Sequence, residues 1–278
     1  MGKLIATKNF QWEIGASAGH YKNEITQLPD GKTFINTDFY GATIRTEVGQ
    51  AANLFYGYET EGVFATSEEA AASGLYVLAS NGVDKQYFGA GDVIFKDNHK
   101  DGVIDEKDRV VIGDPNPDIY GNLFSSMHYK RFSFDMNFNY SLGNDVYNYM
   151  RSQLEGGSRF MNQTTAMLNR WQAEGQVTDV PRASFQDPMG NSRFSDRWIE
   201  DGSYLRLKTV TLSYKLPVNS TFVQGLQFWV QANNVFTLSN YLGSDPEFSA
   251  TSSVIGQGID LGQLSQSRSF VAGIKINL

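Results

Sequence analysis

The run Phe132-Ser133-Phe134-Asp135-Met136-Asn137-Phe138-Asn139-Tyr140-Ser141 decides the fold. Large apolar side chains alternate with small polar ones throughout it. Successive side chains of a strand point to opposite faces, so this stretch is a strand with one apolar and one polar face. Near the start of the chain, Phe10, Trp12, Ile14, Ala16 and Ala18 alternate with Gln11, Glu13, Gly15, Ser17 and Gly19. At its end, Phe270, Ala272, Ile274, Ile276 and Leu278 alternate with Ser269, Val271, Gly273, Lys275 and Asn277. Two further runs alternate less strictly, one with Val210, Leu212, Tyr214 and Leu216 on one side, the other with Leu226, Phe228, Val230, Ala232 and Phe236. Such runs approach the ~9–11 residues of a membrane-spanning strand and exceed the ~5–6 usual in soluble sheets. Tyr21, Tyr129, Tyr140, Tyr204, Tyr214, Trp229 and Tyr241 crowd the strand ends, as aromatics at lipid headgroup level would. A soluble β-sandwich alternates in the same way. The two differ in whether Phe132, Phe134 and Phe138 lie outside or are buried.

The connections are uneven. Tyr129-Lys130-Arg131 leaves room only for a short turn, whereas residues 143–202 alternate poorly over a length unusual for a compact soluble domain. Outer-membrane barrels pair short periplasmic turns with long extracellular loops. Residues 164–173 predict a helix with Met167, Leu168 and Trp171 on one face. Residues 66–80 predict another, opened by Ser67 with Glu68 and Glu69 in its first turn.

Composition agrees with many strands and tight turns: 13% aromatics, 27 glycines and 7 prolines in 278 residues. The absence of cysteine excludes a disulfide framework and thiolate zinc sites. A net charge of −7 without a Lys/Arg run argues against nucleic acid as a partner. No apolar run approaches the ~20 residues of a transmembrane helix. The negative mean hydropathy leaves a β-barrel open, because lipid-facing and lumen-facing residues average out. No apolar h-region follows Met1-Gly2-Lys3-Leu4, so no signal peptide is expected there: either the chain is cytoplasmic or its natural N-terminus lies upstream, and the resemblance below favours the second.

The sharpest local motif spans residues 97–108 and reads as a twelve-residue calcium loop. Asp97, Asp101, Asp105 and Asp108 fall at ligand positions, Val103 offers a backbone carbonyl, Gly102 makes the sharp turn, and Ile104 would anchor the loop in apolar surroundings. His99 stands where an oxygen ligand is expected, and imidazole suits a hard cation poorly. Any calcium affinity is therefore expected to be weak, and a metal-free Asp/Gly turn is the alternative. Catalytic constellations are thin. His20, His99 and His128 show no tight metal spacing, and neither a nucleophile elbow nor a P-loop is present. Asp245 and Glu247 could be paired as a glycosidase dyad, but solvated loop carboxylates are the simpler reading.

The stretch Asp201-Gly202-Ser203-Tyr204-Leu205-Arg206-Leu207-Lys208-Thr209-Val210-Thr211-Leu212-Ser213-Tyr214-Lys215-Leu216-Pro217 closely resembles the most recognisable segment of the SusC/RagA family, TonB-linked outer-membrane proteins of Bacteroidota. Other blocks agree in order: Asn9-Phe10-Gln11-Trp12, Phe55-Tyr56-Gly57-Tyr58, Gly91-Asp92 leading into the 97–108 loop, Ile112-Gly113-Asp114-Pro115, Gly143-Asn144-Asp145-Val146, Asn233-Asn234-Val235-Phe236, Asp245-Pro246-Glu247 and Gly258-Ile259-Asp260. The chain departs from the pattern in ending on Leu278 rather than an aromatic, and in lacking a proline around Leu264-Ser265-Gln266.

The resemblance implies an all-β chain: an antiparallel transmembrane β-barrel segment with long extracellular loops carrying short helices. Residues 1–278 would be the C-terminal portion of a TonB-dependent receptor barrel, with the plug and the N-terminal half absent. It implies the cell outer membrane, and import of oligosaccharides or peptides beneath a SusD-like lipoprotein. TonB would act through the missing N-terminal part, and the other partners would be the remaining barrel, the plug and the lipid bilayer. Catalysis is not expected, since transport needs differential binding between conformations. About eight to ten strands are expected here, against roughly 22 in a closed barrel. Two open sheet edges cannot be satisfied by lipid, so the chain is not expected to transport alone. The competing reading is a soluble secreted β-sandwich, a carbohydrate-binding module with the calcium loop. A decayed gene is a third, which sits poorly with the undisturbed alternation.

Overall fold

The computed structural model describes residues 2–218, 222–248 and 253–278; Met1 lies outside them. The alternating runs form one antiparallel sheet of seven strands in chain order. They are β1 (Gly2–Ala6), β2 (Phe10–Gly19), β3 (Ile119–Tyr129), β4 (Phe132–Leu142), β5 (Tyr204–Leu216), β6 (Gly225–Ser239) and β7 (Ser269–Asn277). This wall has seven strands rather than the expected eight to ten, because the remaining strands are short and pair elsewhere. In such a meander the connections alternate ends. The connections after β1, β3 and β5 lie at one end of the sheet, while the long ones after β2, β4 and β6 leave from the other.

The weaker alternation in β5 has a local cause. Asn137 of β4 faces Thr209, yet the next residue, Phe138, faces Leu207. Lys208 is thus the extra residue of a β-bulge. The slip lets Leu205 and Leu207 share a face with Val210, Leu212 and Tyr214. The β5–β6 register shifts at the same height, where Asn234 takes φ 50°.

The three long excursions fold together into a cap. One small sheet joins Phe34–Phe39, Ala42–Glu47, Leu54–Gly57 and Val110–Gly113; another joins Asp145–Asn148, Ile199–Asp201 and Ile259–Asp260. The second sheet takes one strand from the last excursion and two from the middle one. The cores lie in this cap. One gathers Tyr58, Phe64, Phe88, Val93, Phe95 and Ile104 with Met189; the other gathers Ile44, Phe55, Tyr147, Trp198 and Ile259. The second core draws on all three excursions, so none of them can fold its apolar side chains away alone. Neither core contains a residue of the wall.

Both expected helices are corrected. Residues 66–80 supply only Ser67–Ser73, capped by the Thr66 side chain accepting from the Glu69 N–H and ended by Gly74 at φ 67°. Left-handed backbone at a glycine stops a helix, and a strand, Tyr76–Leu78, follows. Residues 164–173 form only a 3-10 turn, Thr165–Asn169, whose preceding Thr164 hydroxyl donates to Glu155 instead of capping. Met167 is buried but Leu168 is exposed. Trp171 lies beyond the turn and donates its indole N–H to the Ala65 carbonyl at 3.1 Å.

Candidate functional site: a two-faced wall beneath a folded cap

The register gathers the apolar face into rows. Nearest the short turns, Phe10, Tyr129, Phe132, Tyr214 and Phe228 form one line across five adjacent strands. The rings of Phe132 and Tyr214 are 4.7 Å apart. Above them come Trp12, Met127, Phe134, Leu212 and Val230, then Ile14, Ser125, Met136, Val210 and Ala232. Two more rows run through Phe138 and through Tyr140. The eleven residues of β4 rise roughly 25–30 Å at about 3.3 Å each and about 40° of tilt, the height of a bilayer-spanning apolar band. No second layer covers this face: Phe132 is 49% exposed, Phe134 and Phe138 are half-buried, and Val230 and Ile274 are 54% and 61% exposed. A sandwich would bury these side chains, so the soluble-module reading is not retained. The one indole N–H in the second row is satisfied within the face, Trp12 Nε1 donating to Ser125 Oγ at 3.0 Å, as a donor on an apolar face kept from water must be.

The opposite face is polar. Glu13, Ser126, Asp135, Thr211 and Gln231 share a row, in which Ser126 donates to Asp135 at 2.5 Å. His128 bonds Ser133 at 2.8 Å and Ser126 at 3.3 Å. Aromatics on this side lie across glycines of the neighbouring strand, Phe124 over Gly15 and Trp229 over Gly273. The expected aromatic belt is therefore corrected. Tyr129, Tyr140 and Tyr214 share the apolar face, Tyr204 and Trp229 take the polar one, and Tyr21 and Tyr241 belong to the cap segments.

The 97–108 loop is shaped by its own carboxylates. Asp97 accepts from the backbone N–H of Lys100 (2.6 Å), Asp101 (3.3 Å) and Gly102 (2.7 Å). Burial works against its charge, but those amides and the neighbouring Asp108 outweigh it and hold its carboxyl below the usual range. Asp108 is fully buried and accepts from His99 N (3.0 Å) and Asp105 N (2.9 Å). Asp101 takes the Val103 N–H and Asp105 the Lys107 N–H. Gly102 sits at φ 78°, and Ile104 is buried in the first core. Among the described residues no group of three or more His, Asp or Glu side chains gathers as a metal cluster.

Two buried ionic contacts join residues whose pairing the separate sequence blocks did not announce. Fully buried Asp92 takes both arms of Arg182 (2.9 and 2.8 Å), the Asn191 amide (2.8 Å) and the Gly89 N–H (2.9 Å), tying the first excursion to the second. Asp245 and Glu247 are neither a hydrolytic dyad nor freely solvated, since both hold the guanidinium of Arg206. Where wall meets cap, a cavity of about 500 Å3 is lined by Tyr21, Lys22, Glu24, Leu54, Asn116 and Asp118.

No protein-family model matches the sequence. A TonB-dependent receptor of Formosa agariphila is 30% identical over 98% of this chain, which spans 27% of that receptor. A second receptor of that organism is also 30% identical, over 98% of this chain and 28% of its own length. SusC of Bacteroides thetaiotaomicron is 26% identical over 99% of the chain and 25% of its own length. Among solved structures, the RagAB peptide transporter superposes with a TM-score of 0.77 at 23% identity, covering 99% of this chain and 28% of that one. The RagAB peptide importer in its closed-closed state gives 0.74 at 24% identity, covering 99% and 28%. The chain spans little more than a quarter of the relatives it matches.

Proposed function

From the premise that this chain is a stretch of a SusC/RagA-type TonB-dependent receptor, we propose that it is the C-terminal portion of the barrel of an outer-membrane importer of oligosaccharides or peptides. The observation that carries this reading is the bare apolar face, five rows tall with an aromatic row at the short-turn end, set back to back with a polar face. Only a lipid bilayer outside and an aqueous lumen inside suit both faces at once. The chain is no enzyme; its relatives are receptors and importers. Its polar face would line the lumen around a plug, and its cap would meet substrate and a SusD-like lipoprotein. TonB would drive opening through another part of the receptor, and the open edges of β1 and β7 would pair with the rest of the barrel. Within this reading, calcium would be a weak ligand of Asp97, Asp101, Asp105 and Asp108 with the Val103 carbonyl, His99 contributing little.

The experiment is to isolate the receptor from outer membranes and follow uptake of labelled oligosaccharides and peptides in cells. Recovery with a lipoprotein, and uptake that stops when the proton gradient is collapsed, are expected. A water-soluble monomer in the periplasm or medium would sink the reading.

A further inference from the structure

Residues 240–268, between β6 and β7, join the cap and the wall by different means. On the cap side the attachment is apolar and ladder-like. Ile259 is fully buried in the second core and pairs in parallel with Tyr147, and Asp260 pairs with Asn148; within the excursion itself the Tyr241 hydroxyl donates to Asp260 at 2.5 Å. Gly258 and Gly262, at φ 70° and 82°, flank this anchor.

On the wall side the attachment is ionic. Arg206, on the polar face of β5, is 3% exposed. Its guanidinium donates to Asp245, to Glu247 at 2.8 Å and to Thr237 at 2.9 Å. Lys208, the bulge residue, reaches Glu247 at 3.3 Å and Gln266 at 2.7 Å. The Gln266 N–H in turn donates to Asp245 at 3.0 Å. Both arms of the excursion, 245–247 and 265–267, therefore meet on two cations of one strand. They do so where the wall has a notch. β6 continues to Ser239, but β7 begins opposite Asn233, and above that point Asn234 Nδ2 bonds the Ser267 carbonyl at 3.0 Å.

We propose that residues 240–248 and 253–268 act as a strap, hinged on the cap at Ile259 and latched to the barrel wall by the Arg206–Asp245–Glu247–Lys208 cluster, able to leave the wall while cap and wall stay folded. Neither hydrophobic core reaches the wall, so the latch rests on charges and hydrogen bonds. A buried ionic cluster is either fully satisfied or costly, which makes such a contact two-state rather than gradually loosened. The bulge supports this arrangement by letting Lys208 join Arg206 on the strap.

The test is hydrogen exchange on the intact receptor in detergent micelles, comparing strap segments 241–248 and 263–268 with cap segments 54–64 and 145–155. Arg206→Met should raise exchange in the strap about a hundredfold, since it leaves buried Asp245 without a cation and Glu247 with Lys208 as its one remaining cation, and leave the cap segments unchanged. Glu247→Gln removes a partly exposed partner, keeps the buried Arg206–Asp245 pair, and should raise strap exchange by about three- to tenfold. It serves as the reporter where Arg206→Met does not fold. The proposal is overturned if neither variant changes strap exchange, or if strap, cap and wall rise together.

Discussion

Placing a charge on the apolar face tests the membrane assignment most sharply. Val210 lies in the third of the five apolar rows, between Met136 and Ala232. Two rows on either side amount to four residues, about 13 Å along a strand and about 10 Å in depth at 40° of tilt. In the proposed membrane setting Val210 would sit near the bilayer midplane. Val210→Arg should cost about 2–4 kcal/mol of folding free energy in a membrane, a factor of roughly 30 to 1,000 in the folding equilibrium. Leu205→Arg, in the row nearest the cap, should cost only about 0–1 kcal/mol. Gln231→Arg, on the polar face one residue from Ala232, should be close to neutral. The assay is reversible urea unfolding of the receptor in phospholipid vesicles, read by tryptophan fluorescence. A neutral Val210→Arg, or a Gln231→Arg equally costly, would refute the assignment of the two faces.

The remaining predictions concern the polar face, the cap and the loop. A Cβ at Gly15 would collide with the Phe124 ring, so Gly15→Ala should cost about 1–3 kcal/mol; Phe124→Leu in the same chain should recover much of it in a thermal melt. Asp92→Ala strands the Asn191 amide and the Gly89 N–H, while Arg182, 40% exposed, can turn to water; it should cost the cap about 1–3 kcal/mol, seen as new protease sites in 60–95 and 180–193 with the wall intact. The Asp97 carboxyl lies below its ordinary value, so its contribution is present above that value and lost as pH falls through the folded one. Amide exchange at Lys100, Asp101 and Gly102 should therefore rise below about pH 4, and Asp97→Asn should remove that pH dependence. Titration calorimetry should find calcium binding no tighter than about 0.1–1 mM, lost in Asp97→Asn; heat showing micromolar affinity would contradict the weak ligand set.

Local regularity carried the wall into the sequence. Period-two alternation in β2, β4 and β7 is a property of neighbouring residues and needs no partner to be read. The bulge at Lys208 hid part of β5, because a single extra residue inverts the parity on which the pattern depends. The resemblance around Asp201–Pro217 points to the receptor family, and two TonB-dependent receptors that match nearly the whole of this chain at 30% identity agree. The cap was legible only as length and poor alternation. Its helices came out shorter because Gly74 ended one and the other never passed a 3-10 turn.

By itself, then, the sequence determined that the chain is a strand-built wall with one apolar face, and that it is interrupted by long excursions on one side. Tertiary structure alone decided what those excursions become. Two cores, one of them shared by all three excursions, replace loose loops, and Arg206 meets carboxylates 39 and 41 residues away. The reason is that alternation reports how one residue sits relative to the next. The pairing of a buried charge is set by which distant segment the folded cap brings against it, and no local pattern encodes that.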